Sequence, residues 1–286
     1  MKPLSQCRIA IVGLGLMGGS LAGALRAHCR DVTGVARRPE TVEDALRFGL
    51  IDHGTTNPED ALPHADVVIL ATPVRTIIRQ IREFAPMLGE GCLLMDLGST
   101  KQEIIAAMEE LPRRIQPLGG HPMCGKEVAG IAEADPVLYR GCTFILVPLE
   151  RTSAAALALG QTLVEAVGSS PLVLDGERQD RLVATLSHLP YLLACSLVQT
   201  ADASTSNDPA AWEIVAGGYR DTSRVAGSDV TMMMDILITN RRAVLDATET
   251  FQRKLAALVD LLEAEDEAGL KAALAAGRAE RRRMFP

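Results

Sequence analysis

Five histidines occur in the 286 residues, and one has neighbours that set it apart. His28, His53 and His64 fall at helix ends or in loops and read as surface residues. His121 sits in Gly119-Gly120-His121-Pro122-Met123-Cys124-Gly125, directly after a predicted strand. That is the carboxyl edge, where ligands of open α/β sheets bind. Removing a hydride from an alcohol carbon needs a base for the hydroxyl proton, and a neutral imidazole serves near pH 7. Such a base needs an orienting partner. Ser99, in Asp96-Leu97-Gly98-Ser99-Thr100-Lys101 after the neighbouring strand, carries a hydroxyl able to hold the imidazole in one tautomer. Cys124 lies three residues beyond His121, yet no signature marks a Cys/His nucleophile pair. No cluster of cysteine and histidine has zinc-ligand spacing, so no metal is expected.

A hydride needs an acceptor, and the chain opens on a segment shaped to hold one. Ile9-Ala10-Ile11-Val12 is a buried-strand run, Gly13-Leu14-Gly15-Leu16-Met17-Gly18 follows, and a helix continues to Leu25. Strand, G-x-G-x-x-G and helix in that order are the context of a dinucleotide site. Gly13 permits the tight turn, Gly15 lets a pyrophosphate approach the backbone, and Gly18 lets the helix pack on the strand. The free N–H groups of the helix start, at Leu16 and Met17, then face the diphosphate. Thr72 and Pro73, after the strand Val67–Ala71, join the cofactor-binding set.

Cofactor choice turns on the end of the second strand. An acid there would hold the ribose 2′-hydroxyl of NAD. Asp31 precedes Val32–Val35 and so lies at the wrong end; the right end reads Val35-Ala36-Arg37-Arg38. Two guanidinium groups suit a 2′-phosphate. NADP is the expected cofactor, held by Arg37 and Arg38, with NAD left open.

The elements that must position these groups change character along the chain. Strands are predicted at Arg8–Val12, Val32–Val35, Val67–Ala71, Leu93–Asp96, Ile115–Leu118, Thr143–Val147 and Pro171–Leu174. Helices at Ser20–His28, Thr41–Phe48, Val74–Met87 and Lys101–Glu110 alternate with the early ones, which implies an α/β, mostly parallel, doubly wound sheet. Beyond Asp175-Gly176 only helices are expected. Leu182, Leu186, Leu189 and Leu193 share one helical face, and Pro190 must kink or break that helix. Phe251, Leu255, Leu258 and Leu262 repeat at a/d spacing, too briefly for a coiled coil and better read as a bundle or a subunit interface. The division is residues 1–175, a Rossmann-type domain, and 176–286, an all-α domain.

Bulk properties narrow the class. Hydrophobic residues make up 48% and charged residues 23%, the balance of a soluble globular chain. A net charge of −7 with 3% aromatics argues against nucleic acid. The uncharged run from Ile9 to Leu25 holds five glycines (13, 15, 18, 19 and 23), too many for a leader's apolar region. No other apolar run approaches the length of a span, so no membrane partner is expected. Six cysteines without a C-x-x-C pair read as reduced thiols of a cytoplasmic protein.

Taken together, five motifs resemble the prephenate/arogenate dehydrogenases, the cyclohexadienyl dehydrogenases of tyrosine biosynthesis. They are Gly-Leu-Met-Gly-Gly-Ser-Leu-Ala at 15–22, Gly-Ser-Thr-Lys at 98–101 and Gly-Gly-His-Pro-Met-x-Gly at 119–125. Ser-His-Leu-Pro at 187–190 and Arg-Asp-Thr-Ser-Arg at 220–224 complete the set. The resemblance implies an oxidative decarboxylation, with His121 as base and Ser99 as its orienting residue. It implies that Arg224 grips a substrate carboxylate, for which a bidentate fork is suited, and that His188, Gly217 and Glu127 line the pocket. It also implies a homodimer through the C-terminal helices. Lys126 and His188 offer further positive groups for a dianionic substrate.

Departures leave the substrate open between prephenate and arogenate. Tyr191 stands where many relatives have the last histidine of His-Leu-Pro-His, and Met232-Met233-Met234 where a tryptophan is frequent. These and the stretch from Gly218 to Arg224 resemble the NADP-linked arogenate branch. Lys126 favours the ketoacid side chain of prephenate, whereas Glu127 suits the ammonium of arogenate. Two rival readings share the architecture: a β-hydroxyacid dehydrogenase or imine reductase, and a non-catalytic dinucleotide-binding regulator.

Overall fold

A computed structural model describes residues 1–126 and 128–285; Glu127 and Pro286 lie outside the described residues. Eight strands form one sheet: β1 (Arg8–Val12), β2 (Asp31–Val35), β3 (His53–Thr55), β4 (Val67–Leu70), β5 (Leu93–Asp96), β6 (Gln116–Pro122), β7 (Thr143–Pro148) and β8 (Ser170–Val173). Their order is β3-β2-β1-β4-β5-β6-β7-β8, parallel throughout except where β6 meets β7. The central strands are apolar on both faces, as a sheet covered on both sides requires. Ile9, Ile11, Val67, Ile69, Leu93 and Met95 point into one core. Ala10, Val12, Val68, Leu70 and Leu94 point into the other.

Helices α1 (Leu16–Leu25), α2 (Pro39–Arg47) and α5 (Ala154–Ala166) cover the first face, through residues such as Leu21, Ala45 and Leu163. Helices α3 (Val74–Phe84) and α4 (Gln102–Glu109) cover the second with Ile77, Ile81, Ile104 and Met108. Beyond the last strand come α6 (Gly176–Val183), a π-helical turn (Ala184–His188), α7 (Leu189–Thr205), α8 (Gly217–Ser223) and α9 (Val230–Thr239). Tyr191 of α7 and Met233 and Ile236 of α9 join the second core. Residues 1–240 thus form one compact unit. Residues 241–286 form another, the pair of helices α10 (Arg241–Glu263) and α11 (Glu267–Met284).

Three expectations are corrected. Strand β3 carries no apolar signal, since His53 and Gly54 are exposed at the sheet edge, and His53 therefore lies in a strand. Strand β6 runs four residues further than predicted, because antiparallel pairing with β7 carries it through two glycines; His121 lies within it. Leu182 and Leu186 are exposed although Leu189 is buried. The π turn, which spans Ala184–His188 and includes Leu186, shifts the phase of the helix before Leu189, so the stripe is not continuous. Pro190 falls just after that turn, where its missing N–H breaks no regular α-helical ladder.

From Gly176 to Thr205 the helix is continuous for 30 residues, with a window of mean hydropathy 1.4. By length and composition it passes as a span, which the sequence reading did not anticipate. Its buried polar residues Gln179, Asp180 and His188 bond to the loops of the sheet and to α9's end.

Candidate active site

The glycine loop leaves β1 beneath the end of β4. Gly13 has φ +100°, and a Cβ there would meet the Ala71 carbonyl at 2.7 Å and Thr72 Cγ2 at 2.8 Å. Thr72 and Pro73 therefore lie against the loop, Pro73 as the residue preceding α3. At Gly18 a Cβ would fall 1.9 Å from the Gly13 carbonyl oxygen, so helix and turn pack too closely for any side chain. Around Gly15 the space is open to 4 Å. No side chain caps α1 and no acid stands in its first turn, so its leading N–H groups face outward as an anion site. These residues fit a dinucleotide pyrophosphate. Arg37 and Arg38 are exposed just after β2, and among the described residues neither forms an ion pair.

His121 is buried at the end of β6. Beneath it lies an ion pair with no exposure on either side chain: Lys101 Nζ donates to Asp96 Oδ2 at 2.7 Å. The same ammonium donates to the carbonyls of Gly98 at 2.7 Å and Thr100 at 3.0 Å. Asp96 in turn accepts from the N–H of Gly98 at 2.7 Å and of Gly120 at 3.1 Å. One carboxylate thus fixes both the Gly98–Lys101 loop and the residue before His121. Burial pushes the Asp96 carboxyl up, opposed by Lys101 and the two N–H groups. Burial, then Lys101, then His188 hold His121 well below the usual histidine value. The imidazole is neutral, the form a base requires.

The helical segment closes over this loop. Gln179 of α6 is fully buried; its Nε2 donates to the Ser99 carbonyl at 3.2 Å and lies 3.5 Å from His121 Nδ1. Its Oε1 has no partner. Asp180 accepts from the N–H groups of Lys101 at 2.7 Å and Gln102 at 2.9 Å, capping α4 from outside. Asn240 Nδ2 donates to the Asp180 carbonyl at 2.8 Å and lies 3.2 Å from His188 Nδ1. Thr100 and Thr239 share a hydrogen bond at 2.8 Å. Burial lowers His188 to about 4. Two neutral imidazoles, His121 and His188, thus lie in one buried network, and β6 ends on the same carboxyl edge of the sheet as the glycine loop after β1.

Two family models match in succession: "Prephenate dehydrogenase, nucleotide-binding domain" over residues 21–172 and "Prephenate dehydrogenase, dimerization domain" over 175–276. A prephenate dehydrogenase of Bacillus subtilis (strain 168) is 32% identical, over 92% of this chain and 72% of that one. The chain belongs to the prephenate dehydrogenase family. A cyclohexadienyl dehydrogenase of Zymomonas mobilis is 33% identical, over 90% of this chain and 89% of its own. The crystal structure of prephenate dehydrogenase from A. aeolicus, in complex with hydroxyphenyl propionate and NAD+, superposes with a TM-score of 0.90 at 32% identity. The match covers 99% of this chain and all of that one.

Against this family background, His121, Ser99 and His188 are brought together. The side chain beside His121 Nδ1 is Gln179, however; Ser99 contributes its carbonyl to that glutamine. Tyr191 is buried in α7. Gly217 opens α8 and Arg224 follows it, both exposed, on a segment packed against α7. Lys126 is paired with Asp135 at 3.3 Å. Glu127 lies outside the described residues. Asp96, Lys101, Gln179, Asp180 and Asn240 escaped the sequence reading as functional. For Asp96 there was a signal, a carboxylate ending a strand otherwise wholly apolar. Gln179 and Asp180 sit in Glu177-Arg178-Gln179-Asp180-Arg181, which reads as a solvated helix face.

Proposed function

We propose that this family member catalyses the oxidative decarboxylation of prephenate or arogenate, with hydride transfer to NAD(P). The observation that carries the reading is the buried, neutral His121 beside the Asp96–Lys101 pair, on the same carboxyl edge of the sheet as the glycine loop. His121 takes the proton of the ring hydroxyl as the hydride departs, carbon dioxide leaves, and the ring becomes aromatic. When bound, the nicotinamide supplies the hydride acceptor. Gln179, anchored by the Ser99 carbonyl, holds the imidazole, with Ser99 thus orienting it at one remove; His188, Tyr191, Gly217, Arg224, Lys126 and Glu127 form the substrate side. Arg224 meets a carboxylate, and Lys126 must leave Asp135 if it is to meet another.

For the cofactor, NADP is favoured because the exposed guanidinium groups of Arg37 and Arg38 follow β2 without a carboxylate partner among the described residues. The second domain, 176–286, serves as substrate and dimerisation domain. Leu255, Val259 and Leu262 of α10 are 48%, 42% and 60% exposed in the single chain. An apolar stripe of this kind fits a homodimer interface. Free thiols at all six cysteines accord with a reducing compartment.

One assay crossing prephenate and arogenate with NAD and NADP tests the whole reading. His121→Asn should lower kcat about 10²-fold or more with the preferred pair; an unchanged rate sinks the assignment. Arg37→Ala should weaken NADP far more than NAD, and equal losses would refute the phosphate role.

A further inference from the structure

Past His121 the pairing of β6 with β7 continues one hydrogen bond beyond the end of β6. The ladder sets Pro122 opposite Phe144, and the N–H of Met123 donates to the Thr143 carbonyl at 2.8 Å. One step further, Cys124 faces Cys142. The backbone of Cys142 turns away from β6: its N–H donates to the Tyr139 carbonyl at 3.3 Å and its carbonyl accepts from Ser170 at 2.9 Å. The two cysteines therefore occupy a non-hydrogen-bonded site of an antiparallel pair. There Cα atoms approach to about 4.5 Å, within the roughly 4.4–6.8 Å that a disulfide spans. Their thiols also interact: burial, and after it Cys142, pushes the Cys124 thiol up to about 12.

We propose that Cys124 and Cys142 are an oxidative modification site, a dithiol that closes to a cross-strand disulfide when met by a small-molecule disulfide such as oxidised glutathione. In the proposed sequence Cys142, the half-buried residue just before β7 between exposed Gly141 and Thr143, is the first sulfur to react. Its thiolate attacks one sulfur of the reagent, forming a mixed disulfide and releasing one thiolate. Cys124 then loses its proton and attacks the Cys142 sulfur, releasing the second. Two protein thiols are oxidised, one disulfide is reduced, and both protons end on the released thiols. The bond would fasten the segment three residues from His121. It would do so beside Tyr139, whose hydroxyl donates to the Met17 carbonyl of the glycine-loop helix at 2.9 Å.

The full-length protein is incubated with oxidised glutathione, then denatured and alkylated, and its thiols are counted by mass. The count should fall from six to four with no glutathione retained. Proteolytic peptides containing positions 124 and 142 should be joined, and dithiothreitol should restore all six thiols. Cys142→Ser should form no such crosslink. Six surviving thiols, a glutathione that stays attached, or a bond between a different pair such as Cys7 and Cys29 would each overturn the proposal.

Discussion

Removing the cation beneath the base is the sharpest perturbation the structure offers. In Lys101→Met a side chain with no exposure loses an ammonium bonded to Asp96, Gly98 and Thr100. The carboxylate left behind keeps only the N–H groups of Gly98 and Gly120. Breaking a buried pair from one side costs about 3–5 kcal/mol. Because burial already pushes Asp96 up, protonation relieves part of that penalty, which places the loss near the lower end, about 3 kcal/mol. A loss of that size lowers Tm by about 6–12 °C. Urea unfolding of the wild type, Lys101→Met, Asp96→Asn and the double variant gives the coupling energy directly. The double variant should be less destabilised than the sum of the two singles, since neither charge is then left alone. A second readout separates electrostatics from packing: Lys101 helps hold His121 neutral, so its loss should move the acid limb of kcat/KM to higher pH. Additive single losses, or a folded Lys101→Met with an unmoved acid limb, would refute the reasoning.

The wild-type acid limb of kcat/KM should lie well below pH 6.5, because His121 is held below its ordinary value; a limb at or above 6.5 speaks against it as the free enzyme's base. Gln179→Leu removes an orphaned carbonyl together with one hydrogen bond, so stability should change by less than about 1 kcal/mol. Its kcat should nevertheless fall about tenfold as the imidazole loses its neighbour; equal kcat would make the glutamine a spacer. Gly18→Ala should abolish dinucleotide binding measured by fluorescence titration, since its Cβ meets the Gly13 carbonyl at 1.9 Å. His188 is lowered to about 4, so between pH 6.5 and 4 the unfolded chain binds the proton and the folded chain does not. Its contribution is fully present above 6.5 and lost as pH falls to 4, about 3 kcal/mol in all. The stability gap between wild type and His188→Gln should shrink by that much over this range in urea melts, and a constant gap would exclude the linkage.

What the sequence made legible followed periodicity and glycine chemistry. The buried parallel strands read clearly because both their faces are covered, which leaves uninterrupted apolar runs such as Val67–Leu70. The turn at Gly13 and the close packing at Gly18 were legible because only glycine meets those demands. Strand β3 was not, because an exposed three-residue edge strand has no hydrophobic signature. Nor was the length of β6, whose Gly119-Gly120 has no strand propensity and is held by tertiary neighbours; a Cβ on Gly120 would lie 2.5 Å from the Asp96 carbonyl oxygen. Ser99 stood out through its hydroxyl, yet its backbone carbonyl makes the hydrogen bond to Gln179. Backbone acceptors are invisible to residue-type reasoning. The leucine stripe failed for a local reason: one π turn shifts the phase of every residue beyond it.

The placement of Gln179 and Asp180 also bears on why base and helices belong to one compact unit. The Rossmann half alone supplies His121, but the loop from Gly98 to Gln102 has few intrinsic restraints on its outer side. Two consecutive residues of α6 provide them, Gln179 on the Ser99 carbonyl and Asp180 on the N–H groups of Lys101 and Gln102. Asn240 then ties the Asp180 backbone carbonyl to His188, which links the end of α9 to the segment packed over His121. These residues sit in low-dielectric surroundings, where a misplaced polar group is expensive and intermediate positions are disfavoured. The geometry around His121 is therefore set by the helical segment as much as by the sheet that carries it. A substitution at Asn240, remote from the glycine loop, should accordingly alter turnover more than dinucleotide affinity.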